Sequence, residues 1–279
     1  MKVNKTHNYL WIDIVTFAPR FIMERIFINH QDTRLQAGVA NSCHLRLLVG
    51  MDGFSYLVKQ QNDVLVLKSW VFSPKDQETS LRRILHSEIP LALQYASIQI
   101  IYTTPLVTLL PIRMFTEQVR DDTGWFGLLT EVTPDVVMHQ EWKEGGCYVL
   151  QGVPTSFYTL LKSARLIHED RPYHPEILAQ SLLSFWQKMA VAQHKVVCIN
   201  VRNTYLQVAA FDSGHLQFFN SFEFVSSNDV LYYTLTAYKQ ANLDPVMIPL
   251  YISGQVISDS EIYRVLNRFI KSMHFTVIP

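Results

Sequence analysis

Two stretches of the chain follow one plan. Leu45–Phe72 reads LRLLVGMDGFSYLVKQQNDVLVLKSWVF, and Val196–Phe224 reads VVCINVRNTYLQVAAFDSGHLQFFNSFEF. Each runs as an apolar strand, a short polar turn, a second strand, a tight polar turn and a third strand. A helix-type segment and a further apolar strand follow in both, Ile98–Thr103 in the first and Ile248–Ser253 in the second. A chain that repeats a whole sheet-forming unit must build two similar sheets, a tighter constraint than any short motif. Setting Leu65 on Leu216 offsets the units by 151 residues (216 − 65). Asp52 then falls on Asn203, Phe54 on Tyr205 and Ser69 on Asn220.

Local signals fill in the rest. Residues 1–43 lie outside the repeat and read as a poorly ordered N-terminal extension; within it, Met23 opens MERIFINHQDTR as an alternative start. In the first unit, Gln77–Glu88 has helical spacing that ends before Pro90. Pro111 suits the first turn of a helix running to about Arg120. Asp135–Glu141 and Cys147–Leu150 pair through Glu144-Gly145-Gly146, and Thr155–Ser163 reads as a helix. Pro175 opens a helix with Leu178, Leu182, Phe185 and Met189 on one face, which crosses into the second unit. There, Asp212-Ser213-Gly214 is a hairpin turn and Ser226 or Ser227 caps a helix. Ser258 and Glu261 form a capping-box pattern before another helix, and Phe275–Ile278 is a last strand. The order βββαβαβ makes an α/β protein with mixed sheets: an extension 1–43, a first lobe 44–192 and a second lobe 193–279.

A length of 279 residues suffices for two compact units. With 24 basic and 24 acidic residues the formal charge is zero, which argues against nucleic acid as the main partner. Cys43, Cys147 and Cys198 are far apart and odd in number, so they read as reduced thiols of a cytoplasmic protein. No apolar run approaches the roughly 20 residues that span a bilayer. Asp13 and Pro19 interrupt the apolar start that would otherwise resemble a signal peptide.

The segments DGFSYLV, TPLVTLLPIRMF, HLQFFNSFEF with DVLYYTL, and PLYISGQV carry a resemblance that covers most of residues 44–279. The chain resembles an uncharacterised family from bacteria of the Bacteroides group, within the actin-like ATPase superfamily. That superfamily is built on a duplicated ribonuclease-H-like fold. More distantly, the plan is similar to actin-like assembly proteins of type IV pilus and type II secretion machines.

The resemblance implies a nucleotide cleft between two hairpin turns. Glycines there bring backbone N–H groups to phosphates, hydroxyls add donors, and nearby carboxylates hold Mg²⁺. The corresponding candidates are Asp52, Gly53 and Ser55 in the first turn, Thr204 in the second, and Gly254 after a later strand. The set is eroded. Asn200–Thr204 has no glycine and no carboxylate, no acid ends the first strand near Val49, and one glycine stands where two are usual. Hydrolysis needs the metal and a positioned water. The expectation is therefore no catalytic residue, no metal and no required cofactor, with ATP and Mg²⁺ as the alternative. The leading function is a protein-binding or assembly scaffold; the alternative is a divergent ATP-binding protein or phosphotransferase.

Other clusters read as ordinary surface or core. His168-Glu169-Asp170 with His174 suits a solvated loop, and His139 with Glu141 merely shares a strand face. Trp125-Phe126 lies in the loop-like DDTGWFG, where an aromatic pair either fills a local pocket or anchors a partner. Adjacent Phe218 and Phe219 must point to opposite faces of their strand. None of GxSxG, GxxxxGK[ST], HExxH and GxGxxG is present.

Overall fold

The computed structural model describes residues 24–73, 75–117, 119, 123–130, 134–167 and 175–276. Its strands are β1 (Glu24–Gln31), β2 (His44–Gly50), β3 (Gly53–Gln60), β4 (Asp63–Phe72), β5 (Ser97–Thr103), β6 (Val107–Pro111), β7 (Val136–Trp142), β8 (Cys147–Val153), β9 (Glu176–Ile177), β10 (Lys195–Val201), β11 (Tyr205–Asp212), β12 (His215–Glu223), β13 (Leu250–Gly254) and β14 (Met273–Phe275). Its helices are α1 (Ala37–Ala40), α2 (Gln77–Ser87), α3 (Thr123–Thr130), α4 (Thr155–Ser163), α5 (Leu178–Gln193), α6 (Ser227–Gln240) and α7 (Glu261–Leu266).

The first sheet runs β1-β4-β3-β2-β5-β9 and the second β12-β11-β10-β13-β14. Without β1, the two orders are the same. In each, three antiparallel strands are followed by two parallel ones reached through helices. Even the irregularities match: the outer hairpins shift register after Val58 in one lobe and after Ala210 in the other.

Pairing corrects the offset. Gly53 faces Val71 across the first hairpin and Tyr205 faces Glu223 across the second, so 205 − 53 and 223 − 71 both give 152. Parallel pairing agrees, with Val49↔Tyr102 matched by Val201↔Gly254. The spacing of 151 was one residue short because Leu216 corresponds to Val64, beside the equally apolar Leu65. A one-residue slip sends every side chain to the wrong face. Asp52 therefore corresponds to Thr204 rather than Asn203, Phe54 to Leu206, and Ser69 to Ser221.

Each sheet packs a core under its helices. Val49, Phe54, Tyr56 and Trp70 lie with Leu81 of α2 and Phe157 of α4. Ile199, Leu206 and Ile252 lie with Val230 and Tyr238 of α6 and Leu266 of α7. A third core joins the second sheet's other face to α5 and to an inserted sheet, β6-β8-β7. Phe218 enters the second core and Phe219 the third, on opposite faces as the strand period requires.

Several local expectations hold. Ser213 (φ 52°) and Gly214 (φ 77°) make the left-handed turn that suits a two-residue hairpin. Ser226 caps α6 in a reciprocal box with Asp229.

Others change. Residues 24–43 are not a loose extension, because β1 pairs along β4 at the sheet edge. Pro111 ends β6 instead of opening a helix, and a 3-10 turn follows over Ile112–Met114. After Pro175 comes strand β9, so α5 starts only at Leu178 and buries Ala179, Leu182, Leu183, Trp186 and Ala190. Ser260, not Ser258, caps α7. The last strand among the described residues is Met273–Phe275, and residues 277–278 of the expected final strand lie outside them. Trp125 and Phe126 sit in helix α3; Phe126 is buried beside Leu110 and Leu150, and Trp125 is half exposed.

All three cysteines are buried and unpaired with one another. Burial pushes the Cys147 thiol up to about 11 and raises Cys43 and Cys198 as well. The reactive thiolate is therefore scarce at pH 8. A disulfide-exchange reagent at pH 8 should label none of the three in the native protein and all three in denaturant. Rapid stoichiometric labelling of a native thiol would contradict the packing.

Candidate functional site

The two equivalent hairpin turns meet. Gly50 pairs with Gly53, leaving Met51 and Asp52 at the tip between β2 and β3. Val201 pairs with Leu206, and Arg202–Thr204 turn between β10 and β11. Each turn is tied to its third strand in the same way: the Phe72 N–H donates to the Asp52 carbonyl and the Phe224 N–H to the Thr204 carbonyl, both at 3.0 Å.

Across the junction, the Asp52 carboxylate is fully engaged. Arg202 Nη2 donates to Oδ1 at 3.0 Å, and the Asn203 backbone N–H donates to Oδ2 at 2.9 Å. The Asp52 side chain is 0% exposed and that of Arg202 11%. Burial works against the Arg202 charge, but the Asp52 carboxylate and Tyr205 outweigh it and hold the guanidinium more firmly protonated than usual. Tyr205 is fully buried and hydrogen-bonded to Thr103 at the end of β5, so a second polar contact joins the lobes. Burial, with Asp52 close by, raises the Tyr205 phenol above its ordinary range.

The five candidate cleft residues have these surroundings. Asp52 is an ion-pair partner. A Cβ on Gly53 would lie 2.3 Å from the Trp70 carbonyl oxygen, so close strand packing requires glycine there. Ser55 Oγ is 2.7 Å from Ser69 Oγ on the neighbouring strand. Gly254 adopts φ +89°, and its Cβ would meet the Val201 carbonyl at 2.1 Å. Behind it, the Gln255 N–H donates to that carbonyl at 2.7 Å. Thr204 is half-buried at the second turn. Asp52, Gly53 and Thr204 belong to the facing hairpins and Gly254 ends the neighbouring strand, while Ser55 is turned along its own sheet.

The sequence candidates did not include Arg202, Tyr205, Thr103 or Asn200. The signal available was complementarity: the first turn carries the junction's one acid and the second a lone arginine. Among the described residues no three His, Cys, Asp or Glu side chains are grouped to hold a metal. Residues 168–174, with the histidine–acid cluster, lie outside the described residues. Among the described residues no helix is long and apolar enough to cross a membrane.

A two-lobed α/β fold with paired mixed sheets and facing hairpins is the actin-like ATPase architecture. The chain belongs to the family described as Protein of unknown function (DUF3822), whose pattern matches residues 32–273. A solved protein from Bacteroides thetaiotaomicron, described as having an actin-like ATPase fold and unknown function, superposes with a TM-score of 0.74 at 19% identity. The match covers 87% of this chain and 93% of that one. A chain of the PilM–PilN type IV pilus biogenesis complex matches at TM-score 0.52 and 10% identity, over 84% of this chain and 88% of that one. Comparison with curated protein sequences gives no match.

Removing one member of a buried ion pair leaves the other charge uncompensated, at a cost of about 3–5 kcal/mol. Arg202→Met should destabilise by about that much, measured by urea unfolding. Arg202→Met with Asp52→Leu should recover most of the loss. Additive losses would show that the pair is not coupled.

Proposed function

We propose that this chain is a catalytically degenerate member of the actin-like fold, acting in the cytoplasm as a protein-binding or assembly scaffold. The observation that carries this reading is the engagement of both Asp52 carboxylate oxygens by Arg202 and by the Asn203 N–H. A phosphate entering between these turns would have to break a buried ion pair. A metal held by Asp52 would have to displace a guanidinium and a backbone donor. The second turn supplies no other carboxylate, and hydrolysis by this fold needs both a metal and a positioned water.

A scaffold role is further supported by the likeness to a component of the PilM–PilN complex, which is named as a pilus biogenesis assembly. That likeness is one of fold, and the partner of this chain is a polypeptide by analogy only.

The second reading is a divergent ATP-binding protein or phosphotransferase that uses Asp52, Gly53, Ser55, Thr204 and Gly254. One observation favours it: Arg202 Nε is buried and has no hydrogen-bond partner, so a donor is held near the junction. In this reading the nucleotide releases Arg202 from Asp52 and takes both Arg202 and Thr204 as phosphate donors.

Isothermal titration of the full chain with ATP and Mg²⁺ separates the two. The scaffold reading predicts no heat of binding up to millimolar nucleotide, and micromolar binding would overturn it.

A further inference from the structure

The third core, between the second sheet and the inserted sheet, is apolar along α5 but polar beside the lobe junction. Asn200 and Gln207 are direct cross-strand neighbours on β10 and β11, and both are buried. They share a face with Cys198 and Ala209, two members of this core. From the opposite side comes Gln151 of β8, 0% exposed, on the face that carries Val149 and beside Val107 of β6. The same core contains the indoles of Trp142 and Trp186.

These side chains hold a concentration of unanswered hydrogen-bonding groups. Gln151 and Gln207 have neither the Nε2 nor the Oε1 atom partnered; Asn200 Nδ2, Trp142 Nε1 and Trp186 Nε1 are also buried without a partner. Asn200 is oriented, because its Oδ1 accepts from Ser253 Oγ at 3.2 Å. Native interiors leave few such groups unpaired, since each costs desolvation without return. Five groups with N–H donors and two carbonyl acceptors in one layer call for an occupant rich in acceptors. These five groups are neutral amides and indoles, which suits a neutral occupant.

We propose that Gln151, Asn200 and Gln207 form an internal binding site for a small neutral ligand that both donates and accepts hydrogen bonds. Ordered water and a small carbonyl- or hydroxyl-bearing organic molecule share this chemistry. The pair Asn200 and Gln207 has no counterpart in the first lobe. At the equivalent positions in the first lobe, offset by 152 residues, Asn200 becomes Leu48 and Gln207 becomes Ser55, whose hydroxyl is already bonded to Ser69. Its groups are neutral amides, whereas the phosphate question turns on the charged Asp52 and Arg202.

Two measurements on the full chain test it. A crystal structure at better than 2 Å, with native mass spectrometry of the same preparation, reads the occupant. Water density bonded to these amides with no added mass identifies water, and added mass with matching density identifies an organic ligand. Amides bonded directly to one another or to backbone, with no density between them, overturn the proposal. Gln207→Met keeps the volume and removes the amide. A bonded amide predicts a melting temperature lowered by roughly 3 °C or more, while an unchanged or raised value contradicts the site.

Discussion

The ion pair between Asp52 and Arg202 determines how the two halves of this molecule meet. It joins the tip of one hairpin to the tip of its structural counterpart, 150 residues on, in a setting that leaves Asp52 no solvent. Buried pairs of this kind recover their desolvation only with good geometry and further hydrogen bonds. Here the Asn203 N–H takes the second carboxylate oxygen, and Tyr205 with Thr103 adds a neutral tie alongside. The lobes are thereby joined at their facing turns.

The arrangement depends on broken symmetry. Two identical hairpins would set like against like. The strand pairing, the helices and even the bulge positions agree between the lobes, yet at the turns Gly50 stands where the other lobe has Arg202, and Asp52 where it has Thr204. One turn contributes the acid and the other the base. The plan of the repeat serves the backbone, and the differences at a few turn positions make the junction.

Much of this architecture is legible from local chemistry. The Ser213-Gly214 turn needs left-handed residues, and the Ser226 cap needs a hydroxyl three residues before a carboxylate; both announce themselves. The register was harder, because Val64 and Leu65 are both apolar and only hydrogen-bond pairing distinguishes them. Strand β9 has two residues, too few to show any period, and Pro175 beside it gave a stronger but misleading helix signal. The candidate cleft came from the family resemblance, which implies phosphate-facing turns at Asp52 and Thr204 and a glycine at Gly254. The engagement of Asp52 was not legible, because nothing near it in sequence reveals that Arg202 pairs with it. Gln151, Asn200 and Gln207 were invisible for the same reason, since burial of an amide is a property of the assembled layers.

The central claim is that protein groups occupy the ground between the two turns. Crystals grown with a non-hydrolysable ATP analogue and Mg²⁺ give the most direct view. The account predicts the Asp52–Arg202 pair intact, near 3.0 Å, with no nucleotide between the hairpins. Separated lobes, with phosphates lying against Gly53 and Thr204 and Arg202 turned onto them, would contradict it.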